Sequence, residues 1–541
     1  MYLLFKYIKF PVFTGSLISI LFILEGHEHL PVTHNFDSTS DYEGLPLKIR
    51  VIDSSTGNPL SARVSFQLDG VDYVPEYVNE HGIRFTSIHK RSQHSFTAVY
   101  ALKSGILEVG VSGDAKSVSV TATHGFEYSP KTVGTFLSDA PPLLELKLER
   151  WSHLKENGWI AIDEHLHFDR LDPEDDRLWL SMLEADGLNS GHFMVLKGGM
   201  TPGIWSRQYA FGKDGRAITD TQSIIPGQEY RDSVQGHINL LGLNQPIEPY
   251  STGGMGWPAI VENFPPLHDV LSEARERSGF VGVAHGGSLG SHATAIADAI
   301  LGRVDFWEIS NGFIYRPDTW YRLMNCGYFF PPMAGTDLPN SPFRDSWQPF
   351  LGSIRTYVHS NGRVDFNSFK DSIRNGRVFI TGGPIIDLTI DGKVMGETLR
   401  MSKSGTVSVK AQISSPRPLK DFGLVLNGSP WKADITQGVE RGIHKWVIEE
   451  EVALDNSSWI AAWGKGTHIP AQKIDAMAHT NAIRVIIDGK PIRSGEDHAF
   501  FIDQLRERRD YYREKGAYKN DSQRDRAVSL FDQAIGELSN R

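Results

Sequence analysis

The sequence predicts a multidomain chain, with a βα-repeating core, two small β-sandwich modules flanking it and a helical tail. Three observations predict this arrangement. Apolar and polar residues alternate with a period of two through 47–150, and the alternation returns from 385 to about 495. Between them, over 151–384, apolar strands alternate with helical patterns, as in a barrel or a doubly wound sheet. The last stretch, 498–541, is charged and amphipathic. A length of 541 residues allows about three or four folding units at roughly 150 residues each.

Composition narrows the function classes. With 40% hydrophobic and 22% charged residues the chain is globular and not disordered, and 52 glycines favour turns and short strands. Lys and Arg total 55 against 65 Asp and Glu, a net charge of −10, which excludes a generally basic surface; no nucleic-acid partner is expected. Cys326 is the single cysteine, so neither an intrachain disulfide nor a CxxC motif can form.

Taken in order, Lys6 and Lys9 precede an uncharged run from Phe10 to Leu24 that Glu25 ends. The run is short for a membrane span, which needs about 20 residues, and suits a signal-peptide core, although no A-x-A cleavage site follows. Residues 1–26 therefore read as a signal peptide or membrane anchor. That predicts a secreted, periplasmic or envelope-attached protein, with membrane attachment possible through the N-terminus. The polar stretch after it, with His27, His29 and His34, reads as a solvated linker.

In 47–150, Leu47–Ile52 and Ala62–Phe66 are strands around the turn Thr56-Gly-Asn-Pro59, and Ser117–Ala122 and Leu143–Leu148 repeat the pattern. This reads as a small antiparallel sandwich, and it resembles the transthyretin-like, carboxypeptidase-regulatory type of module. In the core, Trp159–Asp163, Phe280–Ala284 and Val304–Ile309 read as strands, and Asp175–Ala185 and Thr294–Leu301 as helices. Ile386–Ile390, Thr406–Lys410 and Trp446–Glu450 open a second sandwich over 385–495. The tail divides near Gly516–Asn520 into two amphipathic helices.

The chemistry gathers in the core. Asp163-Glu-His-Leu-His167 ends an apolar strand, where residues two apart share a face, so His165 and His167 can offer two imidazoles to one ion. Glu229 and His237 lie beside short apolar strands; Val281-Gly-Val-Ala-His285 and Met333-Ala-Gly-Thr-Asp337 end strands on a histidine and an aspartate. Individually these read as a salt-bridge partner, core histidines and a turn residue. Together, histidines and carboxylates at strand ends suit a divalent cation. Asp163 and Glu164 are candidates to anchor a ligand histidine's second nitrogen. Asp337 could ligate or act as general base, and Arg355 could orient substrate or form a structural ion pair.

At these residues the sequence resembles the polymerase-and-histidinol-phosphatase (PHP) superfamily, and within it the CehA/McbA-like metallohydrolases. The resemblance covers about 150–400. It is carried by the HxH strand, Glu229-Tyr…Gly-His-Ile-Asn239, Ala284-His285, Gly302-Arg-Val-Asp-Phe-Trp-Glu308, Trp320–Gly327, Ala334-Gly-Thr-Asp337, Ile354–Val358 and Gly376–Pro384. It implies a distorted (β/α)7 barrel and a site for one or two divalent ions, Zn2+ or Mn2+. By position, His165, His167, Glu229 and Asp337 would hold one ion, and Glu229, His237 and His285 a second. The chain departs from the family pattern at Pro339, where a histidine is usual, and His192 in Asn189-Ser-Gly-His is a weak match to the Thr-Asp-His segment.

The expected function is a metal-dependent hydrolase that uses metal-activated water on a carboxyl ester, amide or carbamate of a small molecule. One alternative is a metal-dependent phosphoesterase, for which Lys197, Arg207 and Arg355 could supply phosphate contacts. A second is a serine hydrolase: Gly286-Gly-Ser-Leu-Gly290 fits G-x-S-x-G, with Ser288 as nucleophile and Asp337 and His359 following in order. A third is a non-catalytic surface binding protein whose tryptophans, Trp205, Trp257, Trp320 and Trp347 among them, line a sugar platform. The run Gly253-Gly-Met-Gly256 lacks a following helix and does not read as a phosphate loop.

Overall fold

At the centre of the computed structural model lies a mixed β-sheet. The structure describes residues 44–89, 94–139, 143–197, 203–232, 234–251, 263–287, 293–312, 314–339, 350–467 and 476–541. The segment 1–26, the His27, His29 and His34 cluster, the Gly253–Gly256 run, Trp257, Ser288 and Trp347 lie outside the described residues.

The central strands are β1 (Trp159–Leu166), β2 (Ser190–Lys197), β3 (Ser223–Asp232), β4 (Gly236–Leu241), β5 (Phe280–Val283), β6 (Phe306–Asn311), β7 (Pro332–Gly335), β8 (Arg355–His359) and β9 (Val378–Thr381). Every residue of β1, β3 and β6 is buried, as expected of strands covered on both faces. Helices α1 (Pro173–Ala185), α2 (Leu267–Glu276), α3 (Ala295–Ile300), α4 (Asp318–Asn325) and α5 (Phe366–Arg374) run between them. Asp172 caps α1 by accepting from Glu174 N, and Pro173 occupies the first turn, where its missing N–H is harmless.

The expected (β/α)7 barrel is not what forms. Of the described residues 43% are strand and 21% helix, and they form no closed barrel. The pairs β1–β2, β2–β3, β5–β6 and β6–β7 are parallel, but β3–β4, β4–β5, β1–β8 and β8–β9 are antiparallel. Antiparallel neighbours need only a tight turn, whereas parallel ones need a crossover of a dozen or more residues. Arg231 pairs with His237 across the β3–β4 hairpin, so the segment read as βα repetition returns directly with no helix.

The first module consists of two facing sheets. In one, Leu45–Asp53 lies between Leu107–Val111 and Leu144–Arg150; the other is built on Gly82–His89, His94–Ala101, Ala62–Leu68, Ser117–Thr123 and Lys131–Phe136. Ile49, Val64, Phe66, Val109, Val120 and Leu146 share its core. Leu45–Asp53 and Leu144–Arg150 run parallel, a departure from the all-antiparallel expectation. Polar links to the centre include Asp186, after α1, which accepts from Arg63 Nε and Tyr100 OH, both at 3.0 Å.

The second module has no sheet of its own on one side. Ile385–Ile390, Gly405–Ser415 and Ile443–Leu454 belong to a separate five-stranded sheet. Its partner strands extend the central sheet: β9 pairs with Ala476–Thr480, which pairs with Ser458–Gly466, which pairs with Leu419–Leu426. Two tail helices follow, α6 (Gly495–Glu514) and α7 (Asp521–Asn540), and their Phe501, Leu505, Phe531 and Leu538 share a core with Ile296 and Leu323 of α3 and α4. Cys326 is buried after α4, and burial pushes its thiol up to about 12.

Candidate metal centre

The C-terminal end of β1 builds the first half of the site. His165 and His167 project to one side, and their Nε2 atoms lie 3.0 Å apart. Each ring is fixed through its other nitrogen. His167 Nδ1–H donates to the Met194 carbonyl at 2.8 Å, and His165 Nδ1–H to Oε1 of Glu308 at 2.9 Å. Both Nε2 lone pairs therefore face the same point, the tautomer a metal ligand requires.

Two carboxylates meet those lone pairs. Oε2 of Glu229 is 3.1 Å from His167 Nε2 and 3.7 Å from His165 Nε2. Oδ1 of Asp337 is 3.2 and 3.6 Å from the same atoms. Ligand bonds of 2.0–2.2 Å in a tetrahedral shell put neighbouring donors about 3.4 Å apart. The four-donor group His165, His167, Glu229 and Asp337 is spaced around that value.

The other oxygens of the same carboxylates face a second group. Oε1 of Glu229 lies 3.2 Å from His237 Nδ1 and 3.5 Å from His285 Nε2, and Oδ2 of Asp337 lies 3.5 Å from His285 Nε2. Glu229, His237 and His285 form a three-donor group, so Glu229 and Asp337 stand between two sets of imidazoles. Each candidate ligand named from the sequence is in one of these groups. All but His237 and Asp337 have side chains at most 1% exposed; those two, at 13% and 15%, mark the open side.

Local backbone geometry makes the convergence possible. Asp337 (φ +56°) and His285 (φ +53°) both sit in the left-handed region, an unfavourable conformation that recurs at functional sites. A Cβ on Gly335 would come within 2.5 Å of His165 Cβ, so only glycine lets β7 approach β1 this closely. Asp163 braces the same corner: it accepts from Thr336 N at 2.9 Å, Thr336 Oγ1 at 2.8 Å and Gly352 N at 2.8 Å. Burial raises its carboxyl to about 6 against the pull of those bonds. Asp163 thus holds the Asp337 loop, while the ring nitrogens of His165 and His167 are anchored by Glu308 and Met194.

The electrostatics call for positive charge. Burial would raise both carboxyls, yet Arg231 with His165, His167 and His237 holds Glu229 well below the usual carboxylate range, and His165, His167 and His285 do the same for Asp337. Burial opposes a charge on His165, but Glu308, Asp337 and Glu229 overcome it and raise that imidazole well above its ordinary value. His237 goes the other way, to about 4, through burial and the nearby Arg231. Glu164 is pushed well above its usual range by burial and by the neighbouring Glu308 carboxylate. Two ionised buried carboxylates among imidazole lone pairs are a donor set of N and O that suits a divalent ion.

Other expectations fall elsewhere. Arg355 is not brought to the cluster: it is buried and donates to the carbonyls of Gly352 (2.6 Å), Gly187 (3.2 Å) and Asp186 (3.0 Å), with Phe126 under its guanidinium. Its bonds tie the turn after α1 to the segment before β8, and Phe126 is its contact from the first module. His192 is buried on β2 against Phe369, with neither ring nitrogen hydrogen-bonded, and burial lowers it to about 3. His359 pairs with Trp159 at the far end of β1, six residues or about 20 Å from His165, so Asp337 and His359 do not form a triad. Trp320 is fully buried and cannot line a platform; Trp205 packs 5.4 Å from His167, at the site. Arg207 pairs with Asp169 at 3.1 Å.

Glu308, Asn311 and Arg231 went unassigned from the sequence. Asn311 Nδ2 donates to Glu308 Oε1 at 2.9 Å and fixes the carboxylate that fixes His165. A carboxylate inside the apolar run of β6 for Glu308 and the i, i+2 spacing of Glu229 and Arg231 were the available signals.

No protein-family model matches the chain, and no curated protein matches it. Among solved structures the chain is similar to Endonuclease Q in complex with a 27-mer duplex substrate bearing an abasic lesion at the active site. The identity is 16% and the TM-score 0.26, over 40% of this chain and 56% of that one. A likeness of that size carries neither fold nor activity across, and the PHP resemblance rests on the motifs themselves. The chain has a buried cluster of histidines, a glutamate and an aspartate that can hold a divalent metal.

Proposed function

We propose that the protein is a metal-dependent hydrolase and that His165, His167, Glu229, Asp337, His237 and His285 hold one or two divalent ions. A single observation carries this reading: Glu229 and Asp337 each turn one oxygen to the four-donor group and the other toward His285. When bound, such ions supply Lewis-acid polarisation and an activated water. The chain's own residues do the rest. Glu308 and the Met194 carbonyl hold His165 and His167 in one tautomer, and Asp163 holds the Asp337 loop. Trp205 walls the site beside His167 and limits the water around a bound substrate. Asp337, the more exposed carboxylate, marks the open side from which a substrate would approach.

The substrate class we favour is a small carboxyl ester, amide or carbamate, as the CehA/McbA resemblance implies; phosphoesters are the second reading. Zn2+ or Mn2+ fits the N and O donors. The leader-like pattern at Lys6–Leu24 supports placement outside the cytoplasm. The test is a hydrolysis screen of carboxyl, carbamate and phosphate esters with chelated and metal-loaded protein. Chelation should abolish turnover, and Zn2+ or Mn2+ should restore it. Full turnover by metal-free protein would overturn the reading.

A further inference from the structure

β3 places Arg231 two residues after Glu229, on the same face, with His237 directly opposite across the hairpin. The guanidinium is 4% exposed. Nε donates to Oε2 of Glu229 at 2.6 Å, and Nη2 lies 2.5 Å from the same oxygen and 3.9 Å from Oδ1 of Asp337. Those are the two carboxylate oxygens of the four-donor group. A buried cation needs a paired anion, and the anion paired here is an oxygen assigned above to a metal ion.

We propose that Arg231 is the chain's own cation at this centre: it neutralises Glu229 when no metal is bound, and it competes with a divalent ion for Glu229 Oε2. The inference rests on the metal reading above and adds to it a control on metal affinity. With metal bound its ligand imidazoles are neutral, and Glu229 and Asp337 supply two negative charges, which one divalent ion in the four-donor group would cancel. Arg231 makes that balance positive, and like charges at contact range in a buried site repel strongly. Arg231 contacts Oε2 and not Oε1, the oxygen that faces His237 and His285. Its effect therefore falls on the four-donor group, whose hold on metal it loosens.

The test is titration of chelator-stripped protein with Co2+, whose absorption reports coordination, for the wild type, Arg231→Met and Arg231→Lys. Arg231→Met should bind roughly tenfold or more tighter, and Arg231→Lys, which keeps the charge, should stay within about threefold of the wild type. Metal-free Arg231→Met should melt below the metal-free wild type, and the loaded proteins should melt together. If Arg231→Met folds only with metal, loss of the Co2+ absorption to excess chelator replaces the titration, and loss slower than in the wild type is expected. Equal or weaker affinity, or equal or faster loss, in Arg231→Met overturns the proposal, because Arg231 would then be a support for Glu229. A wild type that binds no Co2+ overturns the metal reading itself, and this proposal with it.

Discussion

Oε1 of Glu308 lies 2.9 Å from Nδ1 of His165, on the edge of the ring opposite Nε2, which faces His167 at 3.0 Å. One carboxylate thereby sets both the tautomer and the aim of a candidate ligand. Its other oxygen accepts from His285 N at 2.7 Å, so it also positions a residue of the second group. Glu308→Gln should weaken metal binding by about 10–100-fold, the usual effect of losing such a partner. Competition against a chromophoric chelator measures this; affinity equal to the wild type would refute the role of Glu308.

Metal uptake should release a proton. In the metal-free protein His165 is raised well above its ordinary value and carries a proton near neutrality; a ligand imidazole must be neutral. The ion and the proton compete, so affinity rises with pH through neutrality, by about tenfold per pH unit for one proton displaced. Calorimetry in buffers of different ionisation enthalpy counts the proton directly.

Arg355→Ala should destabilise the fold without emptying the site. The change leaves the carbonyls of Gly352, Gly187 and Asp186 without their donor and removes the stacking on Phe126. A loss of about 2–4 kcal/mol is expected from such a buried network. Denaturant unfolding measures it, and metal affinity should change far less than in Glu308→Gln.

Acid should unfold the protein partly through two buried imidazoles. Burial lowers His192 to about 3 and His479 to about 4. Their folded values lie below the ordinary one near 6.5, so the unfolded chain binds more protons at acid pH. This part of the stability is complete above about pH 6.5 and is lost as the pH falls toward 4 and then 3. Between pH 7 and 5 each group costs about 2 kcal/mol. His192→Phe, stacked on Phe369, should lose correspondingly less over that interval in paired denaturant titrations.

The donor set was legible because strand ends and the two-residue period place histidines and acids by simple rules. His165 and His167 needed only the period, and His285 and Asp337 only the ends of their apolar runs. The architecture was less legible. Glu229 and His237 sit on a hairpin, and a short apolar run reads alike in parallel and antiparallel pairs. The supporting residues were hidden for another reason. Glu308 reaches His165 across 143 positions and Asp163 reaches Thr336 across 173, distances that no local pattern encodes. Arg355 stayed open between two readings because a lone arginine near a strand looks the same whether it meets a substrate or three backbone carbonyls.

The ladder between β9 and Ala476–Thr480 bears on how the chain can be divided. A fragment ending at Pro384 would leave β9 paired with β8 alone and expose a row of open amides and carbonyls on its other edge to other copies. Such a fragment should self-associate before it could be assayed. The shortest stretch that keeps this border covered runs from the first module through Ile487, where the last strand of the extended sheet ends.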